Sequence, residues 1–445
     1  MLAFSTDMGI VCPPPRDRMP PPAAPSAGRN YPLLLVGQFL GAFGDNFLLM
    51  AILGPLTYEL GSGRVTESRI DAENALYGLV FSIPFIVLAP LAGYLNDRMP
   101  KTHWLVGGNL IKVAGAAIGL TGVCAAAAGH SHVLQVAGYC VVGVGACVYS
   151  PAKYGILPEI VENTRLVKAN GTVEMLTLVA IVAGLAGGGF LYDATHSLKI
   201  CYFAGLALYA VALLCNGAMD RTPFNADATL SRSAVEFGST FLSLVRSPRL
   251  GRILLGSMLF WFAGSTLRTA LQGWGLEVFT QAGVAGVTNV KLVLLKVGLV
   301  AGIIAGSVLA GQWHRTGDLS WAKRYGLLLA AGFAAMGLLG GRAGLAPVVL
   351  VLVATGAAAG LLVVPFNAAL QSETDPARLG KTVSIQNFTD YIGIALGAAY
   401  LSFLSRQHLS PNRSMITLGI TVAVITFGFK TLGRARPTQE AENSR

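Results

Sequence analysis

Charged residues are scarce in this sequence, since Asp, Glu, Lys and Arg together make up 12% of its 445 residues. In soluble proteins the same four residues make up about a quarter of the chain. Hydrophobic residues reach 53%, and the mean hydropathy is +0.60. Because one helical span of a bilayer needs about 20 apolar residues, the chain is long enough for roughly a dozen spans with short connections. A sizeable soluble domain does not fit beside them.

Several signatures of catalysis and metal binding are also missing. The six histidines lack HExxH spacing, and none of them begins the HxxxxD pattern of acyltransferases. Gly380, Lys381 and Thr382 match the end of a P-loop, but Asp375 stands where its first glycine belongs. The six cysteines form no CxxC pair and lie mostly in apolar runs, which favours packing. We therefore expect no enzyme, no cofactor and no metal site.

Long apolar segments are what the sequence has instead. They recur at about 31–60, 74–95, 104–128, 132–152, 169–192 and 197–219, and again at 252–278, 288–311, 325–343, 346–370, 383–404 and 413–432. This pattern predicts an all-α membrane protein with twelve transmembrane helices in two six-helix bundles, residues 31–219 and 252–433. A polar cytoplasmic linker, residues 220–251, joins the bundles. The proline-rich residues 1–30 are predicted to be a disordered cytoplasmic tail, and residues 434–445 a second cytoplasmic tail.

Lysines and arginines lie mainly in the loops that share a side with the N-terminus. This asymmetry predicts that both termini are cytoplasmic, and it accounts for most of the formal net charge of +10. The basic residues are spread over many loops. They therefore indicate contact with membrane lipids and not with nucleic acid.

The two halves also look like repeats of each other. One sequence offset aligns Pro151 with Pro365 and Glu159 with Glu373, near the ends of the fourth and tenth spans. Parallel six-span repeats with a substrate site between them, near the middle of the membrane, are typical of secondary transporters.

The loop after the second span carries a motif, GYLNDRMPK at residues 93–101. Its Gly93, Asp97, Arg98 and Lys101 resemble the loop motif of the major facilitator superfamily, although Pro100 replaces the usual glycine. Gly93 permits close approach of a helix, and Asp97 can accept hydrogen bonds from the first turn of a neighbouring helix. The resemblance implies that this loop latches the two halves together on the cytoplasmic side.

Four further runs are more specific: QFLGAFGDN at residues 38–46, SPAKYG at 150–155, LVKANG at 166–171 and TLR at 266–268. Together they resemble the bacterial lysophospholipid transporters of the major facilitator superfamily, over about residues 31–433. The resemblance implies a flippase that moves lysophosphatidylethanolamine and related lysophospholipids from the periplasmic to the cytoplasmic leaflet of the bacterial inner membrane. It also implies a functional link to a separate acyltransferase that re-acylates the product.

Charged residues inside the spans are the candidate site, because a charge at mid-bilayer costs about 2.5–3.5 kcal/mol and usually lines a cavity. Asp45 lies near the middle of the first span, and Arg268 lies in its repeat counterpart, the seventh, which makes Arg268 the expected partner. Lys153 follows Pro151 and can reach back to the same cavity. We expect Arg268 and Lys153 to hold a lipid phosphate. Asp45 would face the ammonium of the head group, or pair with a basic residue when the site is empty.

Other polar residues of the spans are candidates for lining or gating the cavity: Gln38, Asn46, Pro151, Glu174, Gln386, Asn387 and Asp390. Lys112 lies in the third span, which is normally peripheral in this fold, so a structural or snorkelling role is as well supported as a functional one. Lys296 is similarly indecisive.

Two alternative functions stay open. A proton-coupled drug or solute antiporter would use Asp45 as its proton site, but that function does not explain the SPAKYG and LVKANG runs. A polytopic membrane acyltransferase is disfavoured by the missing HxxxxD pattern. The energy source, the head-group preference and the oligomeric state are not determined by these patterns.

Overall fold

The structure, a computed structural model, describes residues 28–61, 67–125, 131–222, 230–284 and 289–429. Within these ranges the regular elements are helices, and no strand occurs. Ten of the described helices are long and apolar enough to cross a membrane, and one bent pair makes an eleventh candidate span. The N-terminal tail up to residue 27 and the C-terminal tail lie outside the described residues, so what the sequence predicts for them stays a prediction.

The first half contains the bent pair. Its helices are α1 (Asn30–Gly61), α2 (Glu67–Val87), α3 (Ala89–Arg98), α4 (Lys101–Cys124), α5 (Ser131–Gly155), α6 (Leu157–Ile160), α7 (Leu166–Thr195) and α8 (Leu198–Gly217). The second span consists of α2 and α3, which meet at 58°. Pro90 lies in the first turn of α3 and has no N–H to donate to the preceding turn, which accounts for the break.

The second half has the same order of spans after a linker helix. Its helices are α9 (Leu230–Arg246), α10 (Leu250–Gln281), α11 (Asn289–Trp313), α12 (Ala322–Leu339), α13 (Leu345–Glu373), α14 (Leu379–Arg406) and α15 (Pro411–Phe427). The last of these has 17 residues and packs along α12. The predicted all-α membrane fold of two six-helix bundles is confirmed.

Helix α9 is a feature that we did not anticipate, because the sequence predicts only a polar linker there. The rings of Phe237 and Phe241 pack edge-on against Phe388 of α14, with centroids 6.0 and 6.1 Å apart. Glu236 accepts a hydrogen bond from the ammonium of Lys381 at 2.8 Å. Residues four apart share a helix face, so the two phenylalanines fasten the linker to the second bundle.

Glycines allow neighbouring helices to touch through their backbones. A Cβ atom at Gly306 of α11 would overlap the carbonyl oxygen of Ala357 of α13, and one at Gly184 of α7 would lie 2.5 Å from the carbonyl oxygen of Phe43 of α1. Lipid tails give helices no hydrophobic reason to associate, so close van der Waals packing of this kind holds the spans together.

One end of the molecule gathers the starts of the odd-numbered spans and the ends of the even-numbered ones. There Asn30 donates its side-chain amide to the carbonyl oxygen of Asp220 at 3.1 Å and accepts the N–H of Asp220 at 2.8 Å. The end of α3 and the start of α14 lie at the same end. We call it the latch end, and the charge distribution of the loops predicts that it faces the cytoplasm.

The contact between α11 and α13 predicts a stability difference between two glycine substitutions. Gly306→Ala should destabilise the protein by about 1–3 kcal/mol, because its methyl group forces two backbones apart. Gly264→Ala in α10 is the matched control, since a Cβ there meets no heavy atom within 4 Å. It should leave stability unchanged or raise it, because alanine favours helix more than glycine. Thermal midpoints in detergent measure both, and equal midpoints would contradict this packing.

Candidate functional site

Asp45 lies inside the first half, where α1 faces α4 and α8. Its carboxylate accepts a hydrogen bond from the ammonium of Lys112 at 2.7 Å and another from the hydroxyl of Tyr209 at 2.8 Å. The ammonium is also 5.4 Å from the ring centroid of Tyr149 and 5.7 Å from that of Tyr209. Lys112 is 3% exposed and Asp45 is 7% exposed. The two residues form a buried ion pair with additional polar and aromatic neighbours.

The expected pairing of Asp45 with Arg268 is therefore wrong for this structure. Lys112 takes that place from within the same half, and Gly145 of α5 leaves room for its side chain. A Cβ atom at Gly145 would lie 2.7 Å from the Cγ of Lys112. Arg268 is an exposed residue of α10. The sequence signal for the true pair is faint, since only the spacing of Gly41 and Asp45, one helical turn apart, hints at a neighbour on that face.

A second group of charges begins on α5 and α7. The ammonium of Lys153 lies 4.3 Å from the ring centroid of Tyr154. The hydroxyl of Tyr154 donates to the carboxylate of Glu174 at 3.3 Å. Glu174 is 4% exposed, and it interacts electrostatically with Lys153. The predicted residues Lys153 and Glu174 are thus close together, with Tyr154, which we did not anticipate, between them.

The second half contributes a chain of polar side chains to the same region. Asp390 of α14 accepts a hydrogen bond from the hydroxyl of Ser257 of α10 at 3.0 Å. Gln386, one turn earlier, donates to that hydroxyl at 3.0 Å and to Asn367 of α13 at 2.6 Å. Asp390 is 6% exposed and interacts electrostatically with Glu174. We define the central cluster as Lys153, Tyr154, Glu174, Ser257, Gln386 and Asp390.

The other candidates for lining the cavity have structural roles within or between helices. Gln38 is 2% exposed and accepts a hydrogen bond from the hydroxyl of Thr177 of α7 at 3.0 Å. The side-chain amide of Asn46 donates to a carbonyl oxygen of its own helix at 2.8 Å. Pro151 lies inside α5, as its repeat counterpart Pro365 lies inside α13. These hydrogen bonds are enough to account for Gln38 and Asn46 as packing residues, without a role in the cavity.

At the latch end, α3 crosses the start of α14. The carboxylate of Asp97 accepts the backbone N–H of Lys381 at 3.3 Å, which places a negative charge at the positive end of the α14 dipole. A Cβ atom at Gly93 would lie 3.0 Å from the Cα of Lys381. The hydroxyl of Ser384 donates to the carbonyl oxygen of Ala89 at 2.5 Å. Asp97 and Gly93 thus lie where the sequence led us to expect them, and their role as a latch is a proposal.

Each half has a paired glutamate at the corresponding position of the repeat. Lys101 forms a buried ion pair with Glu159 of α6. Burial raises the pKa of Glu159, and the neighbouring ammonium of Lys101 opposes that rise. Glu373, at the end of α13, binds the guanidinium of Arg249 through two hydrogen bonds at 2.6 and 2.7 Å. Arg98 lies in the last turn of α3, where a positive charge is favourable.

Two amide contacts between the halves were missed by the sequence analysis. Asn170 of α7 and Gln371 of α13 exchange hydrogen bonds of 2.8 and 2.9 Å, and they are 1% and 3% exposed. Asn387 of α14 donates to the hydroxyl of Ser150 of α5 at 3.0 Å. Ser150 belongs to the SPAKYG run and Asn170 to the LVKANG run. Both runs therefore include a residue that bonds to the second half.

The whole-chain comparisons agree with this arrangement. The sequence matches the model of the Major Facilitator Superfamily over residues 34–398. The chain belongs to this superfamily. It is therefore a transporter and not an enzyme.

Relatives within the Major Facilitator Superfamily are similar over most of their length. The lysophospholipid transporter LplT of Photorhabdus laumondii is 31% identical over 412 residues, which cover 92% of this chain and 94% of that protein. The lysophospholipid transporter LplT of Salmonella heidelberg is 32% identical over 357 residues, which cover 80% of this chain and 82% of that protein. The chain belongs to the same family as these two proteins.

Solved structures of major facilitator proteins show the same fold. The human organic anion transporter MFSD10 matches with a TM-score of 0.72 at 17% identity, over 92% of this chain and 100% of that chain. The fucose:proton symporter FucP of E. coli matches with a TM-score of 0.70 at 14% identity, over 91% of this chain and 98% of that chain.

The ion pair of Asp45 and Lys112 predicts that substitutions at these two residues have non-additive effects on the stability of this major facilitator protein. Lys112→Met should destabilise the protein by about 3–5 kcal/mol, because it leaves the carboxylate of Asp45 buried without its cation. The double variant Asp45→Asn with Lys112→Met should recover most of that loss. Chemical unfolding of the single and double variants in detergent measures the coupling. A double variant as unstable as the sum of the two single variants would show that the residues act independently.

The hydrogen bonds between Asn170 and Gln371 hold the two halves together at the latch end. We therefore expect their loss to favour molecules in which the halves have separated there. Asn170→Leu leaves the amide of Gln371 buried and unpaired in the form in which the halves touch, which costs about 1–3 kcal/mol, so the ratio of closed to open molecules should fall about fivefold or more. Replacing both residues by leucine should restore closure. In a cysteine-free background, spin labels at the exposed positions 165 and 378 report the separation of the halves. An unchanged distance distribution in Asn170→Leu would refute the role of this pair.

Proposed function

We propose that this protein transports lysophospholipids, chiefly lysophosphatidylethanolamine, from the periplasmic to the cytoplasmic leaflet of the bacterial inner membrane. The observation that carries the proposal is the central cluster, in which a half-buried cation, Lys153, lies near the buried carboxylate of Glu174, and Glu174 in turn interacts with the buried carboxylate of Asp390. The head group of lysophosphatidylethanolamine has one phosphate and one ammonium. It therefore matches both kinds of charge in the cluster, and relatives of the chain are lysophospholipid transporters.

The phosphate is assigned to Lys153 and Arg268. Arg268 lies on the same face of α10 as Ser257, because eleven residues make about three turns. That face carries the hydrogen bond to Asp390 of the central cluster. The exposed guanidinium of Arg268 lies about three turns from Ser257, towards the end opposite the latch. We assign Arg268 to the first contact with the phosphate and Lys153 to the deeper one.

The ammonium is assigned to Glu174 and Asp390, a revision of the role first expected for Asp45. Both oxygens of Asp45 already accept hydrogen bonds, from Lys112 and from Tyr209. Glu174 accepts a hydrogen bond from one neutral hydroxyl, that of Tyr154, and the ammonium of Lys153 acts on it only from beyond ion-pair distance. A carboxylate with only neutral donors gains more from an incoming ammonium than one that already has a cation.

The acyl chain of such a substrate stays in an apolar environment during transport. Spans rich in glycine and alanine can part and close again without rearranging bulky side chains, as the contact of Gly184 with the α1 backbone illustrates. Delivery of the lipid to the cytoplasmic leaflet supplies a substrate for re-acylation by a separate acyltransferase, which is part of the same proposal.

Uptake of labelled lysophosphatidylethanolamine into proteoliposomes tests the assignment of the head group. Glu174→Gln should lower its uptake about tenfold or more, since a lost charge-assisted hydrogen bond is worth about 1.5–3 kcal/mol. Uptake of lysophosphatidylglycerol, which has no ammonium, should fall much less. Lys153→Ala should lower the uptake of both lipids. Arg406→Ala removes an exposed charge at the far end of α14 and is the matched control.

Two results would refute the proposal. One is parental uptake by Lys153→Ala protein that is correctly inserted. The other is an equal loss of both lipids in Glu174→Gln. A proton-coupled antiporter is distinguished in the same vesicles by imposing a proton gradient. Glu174 and Asp390 are the candidate proton sites for such an antiporter, because both carboxylates are buried.

A further inference from the structure

A crevice at the start of α12 lies apart from the central cluster. It has a volume of about 390 Å³, and it is lined by Trp321, Arg324, Tyr325, Leu327 and Leu328. The odd-numbered spans begin at the latch end, and α12 is the ninth span. The crevice is therefore at the latch end, on the side that the loop charges predict to be cytoplasmic.

The polar part of the crevice is held in place by its neighbours. The guanidinium carbon of Arg324 lies 4.3 Å from the ring centroid of Trp321, and the rings of Trp321 and Tyr325 stack with centroids 6.2 Å apart. The hydroxyl of Tyr325 and Nε2 of His314 are 2.8 Å apart. Burial lowers the pKa of His314, against the opposing charge of Asp318. A neutral imidazole therefore holds the tyrosine that supports this stack.

The N–H groups of Arg324 are available to a ligand. Stacking on Trp321 uses the face of the guanidinium and leaves its edge, which matches pairs of phosphate oxygens. Across the part of the chain that the structure describes, no hydrogen bond or ion pair engages this guanidinium, and the residue is exposed.

The apolar part of the crevice follows in the direction of the membrane interior. Leu328 lies one turn beyond Arg324, about 6 Å along the helix axis, and it is 57% exposed. Trp321 is 47% exposed at the start of the helix, where amphipathic rings mark the boundary between head groups and hydrocarbon. The order of cation, aromatic rings and leucine is the order of phosphate, glycerol and acyl chain in a phospholipid.

We propose that this crevice binds one anionic phospholipid of the surrounding leaflet, with its phosphate on Arg324 and an acyl chain along Leu328. Lys323 adds a second positive charge beside the site, with its ammonium 4.8 Å from the ring centroid of Phe427 of α15. Two cations favour an anionic head group over a zwitterionic one. The proposal does not depend on the transported substrate, because none of these residues belongs to the central cluster.

Native mass spectrometry of the full chain from mixed micelles of phosphatidylglycerol and phosphatidylcholine tests the site. The parent should retain one phosphatidylglycerol molecule in preference to phosphatidylcholine. Arg324→Gln should weaken that retention about tenfold, which corresponds to about 1.4 kcal/mol. Trp321→Ala should weaken it too, because the guanidinium loses the ring on which it stacks. Arg165→Gln, an exposed arginine at the latch end of the other half, is the matched control and should retain the lipid.

Thermal midpoints in phosphatidylcholine alone confirm that each variant is folded, so a loss of retention reports on the site. Undiminished retention by Arg324→Gln would overturn the proposal, as would an equal loss in Arg165→Gln. Inorganic phosphate should not displace the lipid at millimolar concentrations. Displacement would show a site for free phosphate and would also overturn the proposal. None of these outcomes bears on the uptake of lysophospholipid through the central cluster.

Discussion

A charge inside a bilayer needs a partner, and the interior of this protein is arranged around that need. The ammonium of Lys112 and the carboxylate of Asp45 neutralise each other within the first half, with Tyr209 as a further donor. Removing one partner of such a pair costs several kcal/mol, because the other stays buried and uncompensated. The pair therefore fixes α1 against α4 and α8, and the first bundle can move as one unit.

The contacts between the halves at the latch end are of a weaker kind. Asn170 and Gln371 are neutral amides, and the carboxylate of Asp97 accepts a single, long hydrogen bond of 3.3 Å from a backbone N–H. A neutral hydrogen bond contributes about 0.5–1.5 kcal/mol net, because water replaces it when it breaks. Strong pairing inside a bundle and weak pairing between bundles suit a transporter, whose halves must separate at one end without coming apart internally.

The two halves carry corresponding glutamates at the latch end. Glu159 and Glu373 occupy corresponding positions, yet they bind different cations, Lys101 and Arg249. The two halves have thus kept the carboxylate and changed its partner. Their internal symmetry is a property of the backbone and of selected side chains, and it does not extend to every ion pair.

The amino-acid sequence was enough to predict the membrane fold, the two bundles, the placement of the loop motif and the family. These follow from the lengths of apolar runs and from local motifs, because a bilayer allows few structures to cross it. It also indicated Lys153, Glu174 and Asp390, since a charge in an apolar run stands out. Helix α9 was not predicted, although the spacing of apolar residues that identifies it lies within its own short sequence.

Which charges meet depends on the packing of the helices and could not be predicted from the sequence. Lys112 pairs with Asp45 because Gly145 of α5 leaves space for the lysine side chain, and Asn170 meets Gln371 because the halves touch there. A lone charge in a span shows that it needs a partner. The identity of that partner depends on how helices far apart in the chain are packed, and the periodicity of a single helix does not contain that information.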